Sequence, residues 1–257
     1  METRCSFWNA ADPIFDARIA AIDATADTGM HAPEVVVATV AFLAELAGDG
    51  PALEFGIGTG RIAIPLHESG VPVTGIDISP HMVAELREKP GGKGIDVTIG
   101  DIAAADVGGS FSLVYAIWNT FINLLTQEEQ VNCFQNASKH LRPSGFFVTD
   151  TMSPLPDLRR LPPGERARPF SIEADSFGFD EFELVDQRIT SHHYWTEDGR
   201  LESWSSPCRY VWPSELDLMG RIAGLSLHGR WGDWNRNLLT SESSSVISVW
   251  RKPDSTG

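Results

Sequence analysis

Hydrophobic and polar positions alternate with two periods along the first 151 residues. Short apolar runs rich in β-branched and aromatic residues are separated by segments of helical period. The runs predict strands at 52–55 (ALEF), 71–77 (VPVTGID), 95–101 (IDVTIGD), 111–117 (FSLVYAI) and 145–151 (GFFVTDT). Strands that alternate with helices in this way predict a mostly parallel sheet with helices on both faces.

The segments between and before these strands have helix signals. One stripe of the helix predicted for 34–46 contains Val36, Val37, Val40, Leu43 and Ala47. Further helices are predicted for 60–69, for Pro80 to about Lys89 with Ser79 as N-cap, and for 127–141, where Thr126 and Glu129 form a capping box.

The pattern changes after residue 151. A Pro-rich connection, 152–169, leads into four alternating runs (FSIEAD, DEFELVD, RITSHHYW and LESWSSPCRYV), which predict a small antiparallel sheet. A helix from Pro213 or Ser214 to Ala223 and strands near 225–231 and 245–251 follow. The sequence therefore predicts a Rossmann-like α/β fold of seven strands, with an antiparallel β lid inserted after strand 5.

Charge limits the partners of this fold. The 257 residues include 35 acidic side chains and 20 Lys or Arg, for a formal net charge of −15. Such a field repels nucleic acids and anionic membranes, so we expect neither as a partner. A short basic stretch, formed by Arg159, Arg160, Arg166 and Arg168, is interpreted as a solvated loop.

Cysteine usage and hydropathy indicate the compartment. Cys5, Cys133 and Cys208 are odd in number and form no CxxC, which argues against a disulfide framework or a thiolate metal site. No segment approaches the ~18 apolar residues of a membrane span, and the first residues have no apolar core of signal-peptide length. We therefore expect a cytoplasmic protein. We also expect no metal, because no His, Asp or Glu cluster has metal-ligand spacing.

A glycine-rich turn follows the first predicted strand, in LEFGIGTGR (53–61). The dinucleotide fingerprint GxGxxG would need glycine where Arg61 stands, and no GK[ST] follows that would mark a phosphate loop. A ligand with an amino-acid tail instead needs room for its backbone, beside Gly56, Gly58 and Gly60. It also gains from an acid that meets its ammonium group, and Glu54 suits that role.

Three successive predicted strands end in acids. Asp77 can accept the hydroxyls of a ribose, while Asp101 with Ile102 can bind the amino edge of an adenine and cover its face. Each acid alone also has a plainer interpretation: a helix cap for Glu54, an Asx turn for Asp77 and a solvated loop for Asp101. Together with the glycine turn they favour a ligand site at the carboxyl edge of the sheet.

These residues resemble the class I S-adenosylmethionine-dependent methyltransferases. The resemblance covers LEFGIGTGR, GIDISPHM, IGDI and FSLVYAIWNTFINL, and then the order of elements to the C-terminus. The lid position and RYVWPSELDLMGRIAGL are similar to the small-molecule branch of natural-product pathways, such as aminosugar N-methyltransferases. The resemblance implies S-adenosylmethionine as cofactor and S-adenosylhomocysteine as product.

The family pattern implies a role for each matching residue. The glycines pass beside the methionine moiety, and Asp77 takes the ribose hydroxyls. Ile78 and Met82 lie beside the adenine, while Asp101 and Ile102 hold its edge. The predicted cofactor-binding residues are Glu54, Gly56, Ile57, Gly58, Gly60, Arg61, Asp77, Ile78, Met82, Asp101, Ile102 and Trp118. The predicted units are an N-terminal cover of the site (1–33), the cofactor-binding core (34–151), the lid (152–212) and a segment that completes the core sheet (213–257).

The acceptor side is predicted from fewer signals. An (N/D)PPY-like motif of base-modifying enzymes is absent after the fourth strand, where Trp118-Asn119-Thr120-Phe121 stands. Asn119 is a candidate to orient the cofactor or the acceptor, or else a helix cap. By resemblance, Arg209 and Trp212 lie in the segment that faces the acceptor, and Trp212 matches the position of a catalytic His in some relatives. Asp233 is either an acceptor contact or a turn residue.

The sequence thus predicts methyl transfer to N or O of a small organic molecule by direct in-line displacement. A non-methylating enzyme that binds the same cofactor, a protein methyltransferase and an NAD oxidoreductase stay open as alternatives. So do a monomer and a homodimer. His192 and His193 are adjacent on a predicted strand, so we expect their side chains on opposite faces of the lid.

Overall fold

A seven-stranded sheet with helices on both faces forms the centre of the fold. The computed structural model describes residues 15–25 and 31–254. Its strands are β1 (Ala52–Phe55), β2 (Val73–Asp77), β3 (Asp96–Ile99), β4 (Phe111–Ala116), β5 (Leu141–Met152), β6 (Ala167–Ile172), β7 (Ser176–Glu183), β8 (Arg188–Glu197), β9 (Arg200–Arg209), β10 (Ser226–Trp231) and β11 (Ser245–Arg251). Its α-helices are α1 (Ala17–Thr25), α2 (Pro33–Ala47), α3 (Ala63–Glu68), α4 (Pro80–Glu88), α5 (Gln127–His140), α6 (Leu155–Arg160) and α7 (Pro213–Ile222).

The sheet order is β3-β2-β1-β4-β5-β11-β10. Neighbouring strands from β3 to β5 are parallel, and β11 is antiparallel to both β5 and β10. This arrangement, with the separate antiparallel sheet β6-β7-β8-β9, confirms the predicted fold class. Because parallel strands end at one edge, the chain segments after β1, β2, β3 and β4 meet there.

Burial on both faces explains why the central strands are apolar without interruption. Every residue of β1 and β4 is buried. Along β1, Leu53 and Phe55 contribute to the core cluster on one face, while Ala52 contributes to the cluster on the other. The two helical layers therefore each pack against an apolar sheet face, which fixes the strand ends that form the site.

The helix before β1 is rotated relative to its predicted stripe. Val37 is 68% exposed, whereas Thr39, Phe42, Leu43 and Ala47 are buried. Two tryptophans account for the rotation, since the rings of Trp231 and Trp234 lie 5.6 and 5.4 Å from that of Phe42. The sequence pattern of α2 alone could not show that aromatic side chains at the end of β10 and in the following loop cover this helix.

The lid strands differ in their limits from the predicted runs. A turn at 173–175, with the Glu173 N–H donating to the Ser176 carbonyl, separates β6 from β7. The polar and small residues Ser176 and Gly178 hid the start of β7, and the Pro-rich connection contains α6, which was not predicted. His192 contacts Phe179, whereas His193 contacts Phe170 and Trp204, so the predicted opposite faces are confirmed.

One contact within the lid and one with α1 hold the lid in place. At one end, Phe182 and Ile189 of the lid strands pack in a cluster with Leu158 and Leu161 of the connection that precedes these strands. At the other end, Arg18 of α1 pairs with Glu197 at 2.5 Å and lies over the Trp195 ring at 4.3 Å. The lid is thereby linked to α1, which also contacts the glycine turn.

The basic stretch in the lid connection is paired with acids. Arg159 pairs with Glu242, Arg166 with Glu183 and Arg168 with Asp157. The charges of these three arginines are therefore paired with carboxylates of the same chain. None of the helices in the described ranges is long and apolar enough to cross a membrane.

Candidate functional site

A cavity of about 620 Å³ opens at the carboxyl edge of the sheet. Its volume lies within the roughly 300–1,000 Å³ typical of small-molecule sites. It brings together all the predicted cofactor-binding residues except Gly60, namely Glu54, Gly56, Ile57, Gly58, Arg61, Asp77, Ile78, Met82, Asp101, Ile102 and Trp118. The spacing of acids and glycines along the chain therefore converges in one place.

The glycine turn needs glycine for two different reasons. Gly56, Gly58 and Gly60 all have left-handed φ angles, of 72°, 55° and 78°. A Cβ on Gly56 would lie 2.4 Å from the Thr120 side chain, whereas a Cβ on Gly60 would press on Leu86. Gly60 thus packs against α4 and does not line the cavity, so its contact with the cofactor stays a prediction.

Asp77 ties the end of β2 to the glycine turn. Its Oδ2 accepts a hydrogen bond from the Gly58 N–H at 2.7 Å, and its Oδ1 accepts one from the Ser79 N–H at 2.8 Å. The Asx-turn interpretation is therefore correct, and the same carboxylate also lines the cavity. Burial raises the pKa of Asp77, while these N–H groups partly oppose the shift.

Glu54 is a buried acid in the cavity wall. The Tyr115 hydroxyl donates a hydrogen bond to Glu54 Oε2 at 2.9 Å. Burial, with a contribution from Asp77, raises the pKa of Glu54 well above its usual range. A buried carboxyl of this kind favours its charged form when a cation lies beside it. The site therefore fits a ligand with an ammonium group.

Apolar side chains flank the far part of the cavity. Ile78 after β2 is 65% exposed, although it lies in the cavity wall, and Met82 and Ile102 are nearly buried. The loop after β3 is fixed because Asn136 Nδ2 donates to the Ile102 carbonyl at 2.9 Å, and Asp101 Oδ1 accepts from the Ala103 N–H. An aromatic base would cover the apolar surface of Ile78.

Helix α1 closes one side of the cavity. Asp23 Oδ2 accepts a hydrogen bond from Thr59 Oγ1, and Asp23 Oδ1 accepts one from Arg61 Nη2, each at 2.9 Å. Ser79 Oγ donates to the Phe15 carbonyl at 2.6 Å. The N-terminal cover predicted for 1–33 thus has contacts at 15–25 and 31; residues 1–14 and 26–30 lie outside the described residues.

Replacing Asp23 with alanine is expected to speed release of S-adenosylhomocysteine about two- to fivefold, because a partly exposed pair contributes ~0.2–1 kcal/mol. Stopped-flow displacement, followed by tryptophan fluorescence, measures the rate. Thr25→Ala, on the exposed side of the same helix, is the control. Equal release rates in both variants would show that α1 does not hold the site closed.

Trp118 forms the wall next to Arg61. The Arg61 guanidinium lies 4.6 Å from the centre of the Trp118 ring, and the His31 ring lies 4.8 Å from it. Burial, and then the nearby Arg61 charge, lower the pKa of His31. His31, like Phe15, Asp23 and Thr59, lines the cavity but was missed from the sequence, because the contacts of these residues join segments far apart in the chain.

Backbone strain accompanies this arrangement. Trp118 and Asn119 have φ angles of 58° and 62°, a left-handed conformation that costs roughly 1–2 kcal/mol per residue outside glycine and the more tolerant Asn. Asn119 Oδ1 accepts a hydrogen bond from the Met152 N–H at 2.6 Å. Asn119 thus fixes the loop to β5 and is not part of the cavity lining.

Three other predicted acceptor residues also lie outside the cavity lining. The buried Arg209 donates to Gln130 at 2.5 Å and to Glu215 at 2.7 Å, so its charge is used inside the fold. Trp212 precedes α7 and packs against Tyr210. Asp233 accepts hydrogen bonds from the N–H groups of Asn235 and Asn237, so it acts as a turn residue, the second of its two predicted roles. The predicted acceptor contacts of all three, and of Asn119, gain no support from this geometry.

No group of three or more His, Cys, Asp or Glu side chains that could hold a metal ion occurs within 15–25 and 31–254. Cys133 and Cys208 are both free thiols, and Cys5 lies outside the described residues. Burial, with a contribution from Asp180, raises the pKa of Cys208 to about 12.

Known proteins share this architecture. A family model described as a methyltransferase domain matches residues 52–145, which include the glycine turn and the three acids. The structure is similar to that of the CcbJ methyltransferase from Streptomyces caelestis, with a TM-score of 0.82 and 32% identity, over 91% of this chain and 96% of that chain.

Two further relatives extend the comparison. CalS10, an amino pentose methyltransferase from Micromonospora echinaspora solved with S-adenosylmethionine bound, has a TM-score of 0.68 and 18% identity, over 94% of this chain and 99% of that chain. The putative methyltransferase YqeM of Bacillus subtilis is 29% identical over 114 residues, which are 43% of this chain and 45% of that protein. The match thus spans less than half the length of this curated relative. The chain belongs to the class I methyltransferases that use S-adenosylmethionine as cofactor.

Proposed function

We propose that the protein transfers a methyl group from S-adenosylmethionine to a nitrogen or oxygen atom of a small organic molecule. The observation that carries the proposal is the cavity of about 620 Å³, with Glu54, Asp77 and Asp101 on one wall and α1 over another. A site closed by a helix and flanked by a lid favours a small acceptor over a folded protein.

The residues of the cavity can hold each part of the cofactor. Glu54 would meet the ammonium group, and Arg61, the cation of this wall, would meet the carboxylate. Asp77 would accept the ribose hydroxyls, while Asp101 and Ile102 would hold the adenine. When bound, S-adenosylmethionine supplies a methyl group that its sulfonium has already activated.

The protein then has to orient the acceptor and exclude water. Precise alignment of two reactants can contribute ~7–11 kcal/mol in favourable cases. The aromatic wall made by Trp118 and His31 provides a π-face for a cationic sulfur and a dry surface. Because its pKa is lowered, His31 is neutral at physiological pH and can accept a proton from the acceptor atom.

Amino sugars are one acceptor class that fits the proposal. CalS10, described as an amino pentose methyltransferase, has a fold that matches along 94% of this chain. An amine that enters the site uncharged is already nucleophilic, and a neutral histidine can assist the removal of its proton during transfer. Hydroxyl acceptors remain part of the proposal because the same base can serve them.

The direct test uses S-adenosylmethionine with a labelled methyl group. The protein is incubated with this cofactor and a panel of small amines, amino sugars and alcohols, and the products are analysed by mass spectrometry. We expect the label in a small-molecule product together with S-adenosylhomocysteine. The Asp77→Ala variant should give no labelled product above background.

Other outcomes separate the alternatives. Tight binding of S-adenosylhomocysteine without labelled product across the panel would favour a non-methylating enzyme that uses the same cavity. Label recovered in added proteins would favour a protein methyltransferase. A change in nicotinamide absorbance with NAD would favour an oxidoreductase. Each of these results would contradict the proposed reaction.

A further inference from the structure

A buried carboxylate lies behind the cavity wall. Asp150 is on β5, between β4 and β11, with Ile247 opposite it in the ladder, and only 5% of its surface is exposed. Its Oδ1 accepts a hydrogen bond from the Asn119 N–H at 3.1 Å. The neighbouring Trp118 N–H also acts on this carboxyl, because it lowers its pKa. Asp150 does not line the cavity, so it does not touch a ligand there.

The N–H group that donates to Asp150 belongs to the strained loop. Trp118 and Asn119 are consecutive left-handed residues, so the Asn119 bond to Asp150 lies directly beside the strained Trp118 backbone. The Asn119 side chain adds a second link to the same strand through the Met152 N–H.

This loop carries the wall of the cofactor cavity. Trp118 contacts both Arg61 and His31, at 4.6 and 4.8 Å from its ring centre. Thr120, two residues further on, sits so close to the glycine turn that a Cβ on Gly56 would lie 2.4 Å from it. A shift of the loop would therefore displace both the aromatic wall and a neighbour of the glycine turn.

We propose that Asp150 is a positioning residue, which holds Trp118 in the left-handed conformation required to form the cofactor-binding wall. The inference rests on the proposed function only in that Trp118 contacts the bound cofactor. It assigns to a buried acid, which no sequence motif marked, control over the shape of the site.

Protonation of Asp150 should weaken its hydrogen bonding to the loop that contains Trp118 and Asn119. Burial raises the pKa of Asp150 to about 7, although the two N–H groups partly oppose the shift. The pKa of Asp150 is set by burial and by these two N–H groups. Among the described residues, no charged side chain contributes to it. The ionised form accepts the Asn119 N–H better than the protonated form, so the loop is held more firmly as the pH rises through about 7.

The titratable and charged groups near Trp118 are Arg61 and His31, which contact the ring, and Asp23, which pairs with Arg61. The pKa of His31 is lowered from 6.5, so His31 takes up its proton at a lower pH than the transition expected for Asp150. A His31→Gln variant removes this signal and leaves the Asp150 transition in place.

Nuclear magnetic resonance of the whole chain labelled with ¹⁵N-tryptophan tests the hydrogen bonds directly. The eight tryptophans give eight backbone amides, and Trp118→Phe identifies the signal of residue 118. We expect that amide to shift with a midpoint near pH 7, and we expect Asp150→Asn to abolish the transition. Thr151→Val, whose buried hydroxyl has no partner among the described residues, is the matched control on the same strand.

Calorimetry with S-adenosylhomocysteine tests the effect on the site. We expect Asp150→Asn and Trp118→Ala each to weaken binding about tenfold, and the double variant to be no weaker than the weaker single variant, because both act through one contact. Thr151→Val should change the affinity less than about twofold. Additive losses would show that Asp150 acts independently of Trp118 and would overturn the proposal.

The two measurements separate this inference from the proposed reaction. A Trp118 amide that does not titrate, or still titrates in Asp150→Asn, overturns the role of Asp150, whatever molecule is methylated. Conversely, failure of methyl transfer across the acceptor panel leaves both measurements valid, since neither requires an acceptor. Far-ultraviolet circular dichroism of each variant verifies that it is folded.

Discussion

Asp77→Ala is expected to weaken the binding of S-adenosylhomocysteine by about 100- to 10,000-fold. The carboxylate is expected to accept two ribose hydroxyls, and hydrogen bonds to a charged group contribute roughly 1.5–3 kcal/mol each. Asp77 also accepts the N–H groups of Gly58 and Ser79, so its loss loosens the glycine turn at the same time. Isothermal titration calorimetry measures the dissociation constant of each variant.

Asp96→Ala is the matched control for this experiment. Asp96 is the first residue of β3, so it lies at the amino ends of the strands, away from the cavity. It pairs with Thr74 of β2, and its side chain is exposed. Its removal changes the net charge as much as Asp77→Ala but leaves the cavity intact, so we expect an affinity within about twofold of wild type. If Asp77→Ala bound the product as well as Asp96→Ala does, the predicted ribose contact would be wrong.

The cofactor side of the site could be predicted because its signals are local in sequence. Each acid lies at or just beyond the carboxyl end of a strand, and parallel strands end at one edge. Glu54, Asp77 and Asp101 therefore converge whatever the details of packing. The same logic gave the glycine turn, since three positive φ angles in five residues leave few alternatives to glycine.

The closing side of the cavity could not be predicted in this way. Asp23 and Thr59 are 36 residues apart, and no spacing rule relates them. Helix α1 is short and weakly amphipathic, so the sequence does not indicate which of its faces packs against the cavity. His31 and Asp150 likewise act through contacts with the loop after β4, whose left-handed conformation no propensity indicates.

Arg209 shows why acceptor residues are hard to infer from one sequence. An arginine next to aromatic residues fits a substrate-binding cation and a buried structural cation equally well. The structure places Arg209 on β9 with partners on three other segments: Gln130, Gln187 and Glu215. Only the tertiary packing of α5, the β7–β8 turn and α7 distinguishes the two interpretations.

This network predicts a large loss of stability in Arg209→Ala. The side chains of Arg209 and Glu215 are 7% and 12% exposed. Removing one partner leaves the other charge buried without compensation, which costs roughly 3–5 kcal/mol. We therefore expect the unfolding midpoint to fall by about 6–20 °C. Thermal unfolding followed by circular dichroism measures this change, and Arg188→Ala, an exposed arginine opposite Arg209 in the ladder, is the control.

The pH dependence of unfolding adds an independent criterion. Burial alone would raise the pKa of Glu215, but hydrogen bonds from Arg209, Gln187 and Gln127 outweigh it and lower the pKa below 4.5. An acid with a depressed pKa in the folded state stabilises the protein above its unfolded pKa, and this stabilisation is lost as the pH falls below about 4.5. Arg209→Ala should lack this acid-sensitive component, whereas Arg188→Ala should retain it. A stable Arg209→Ala variant that bound S-adenosylhomocysteine normally yet transferred no methyl group would instead favour the acceptor-binding role that the sequence predicted.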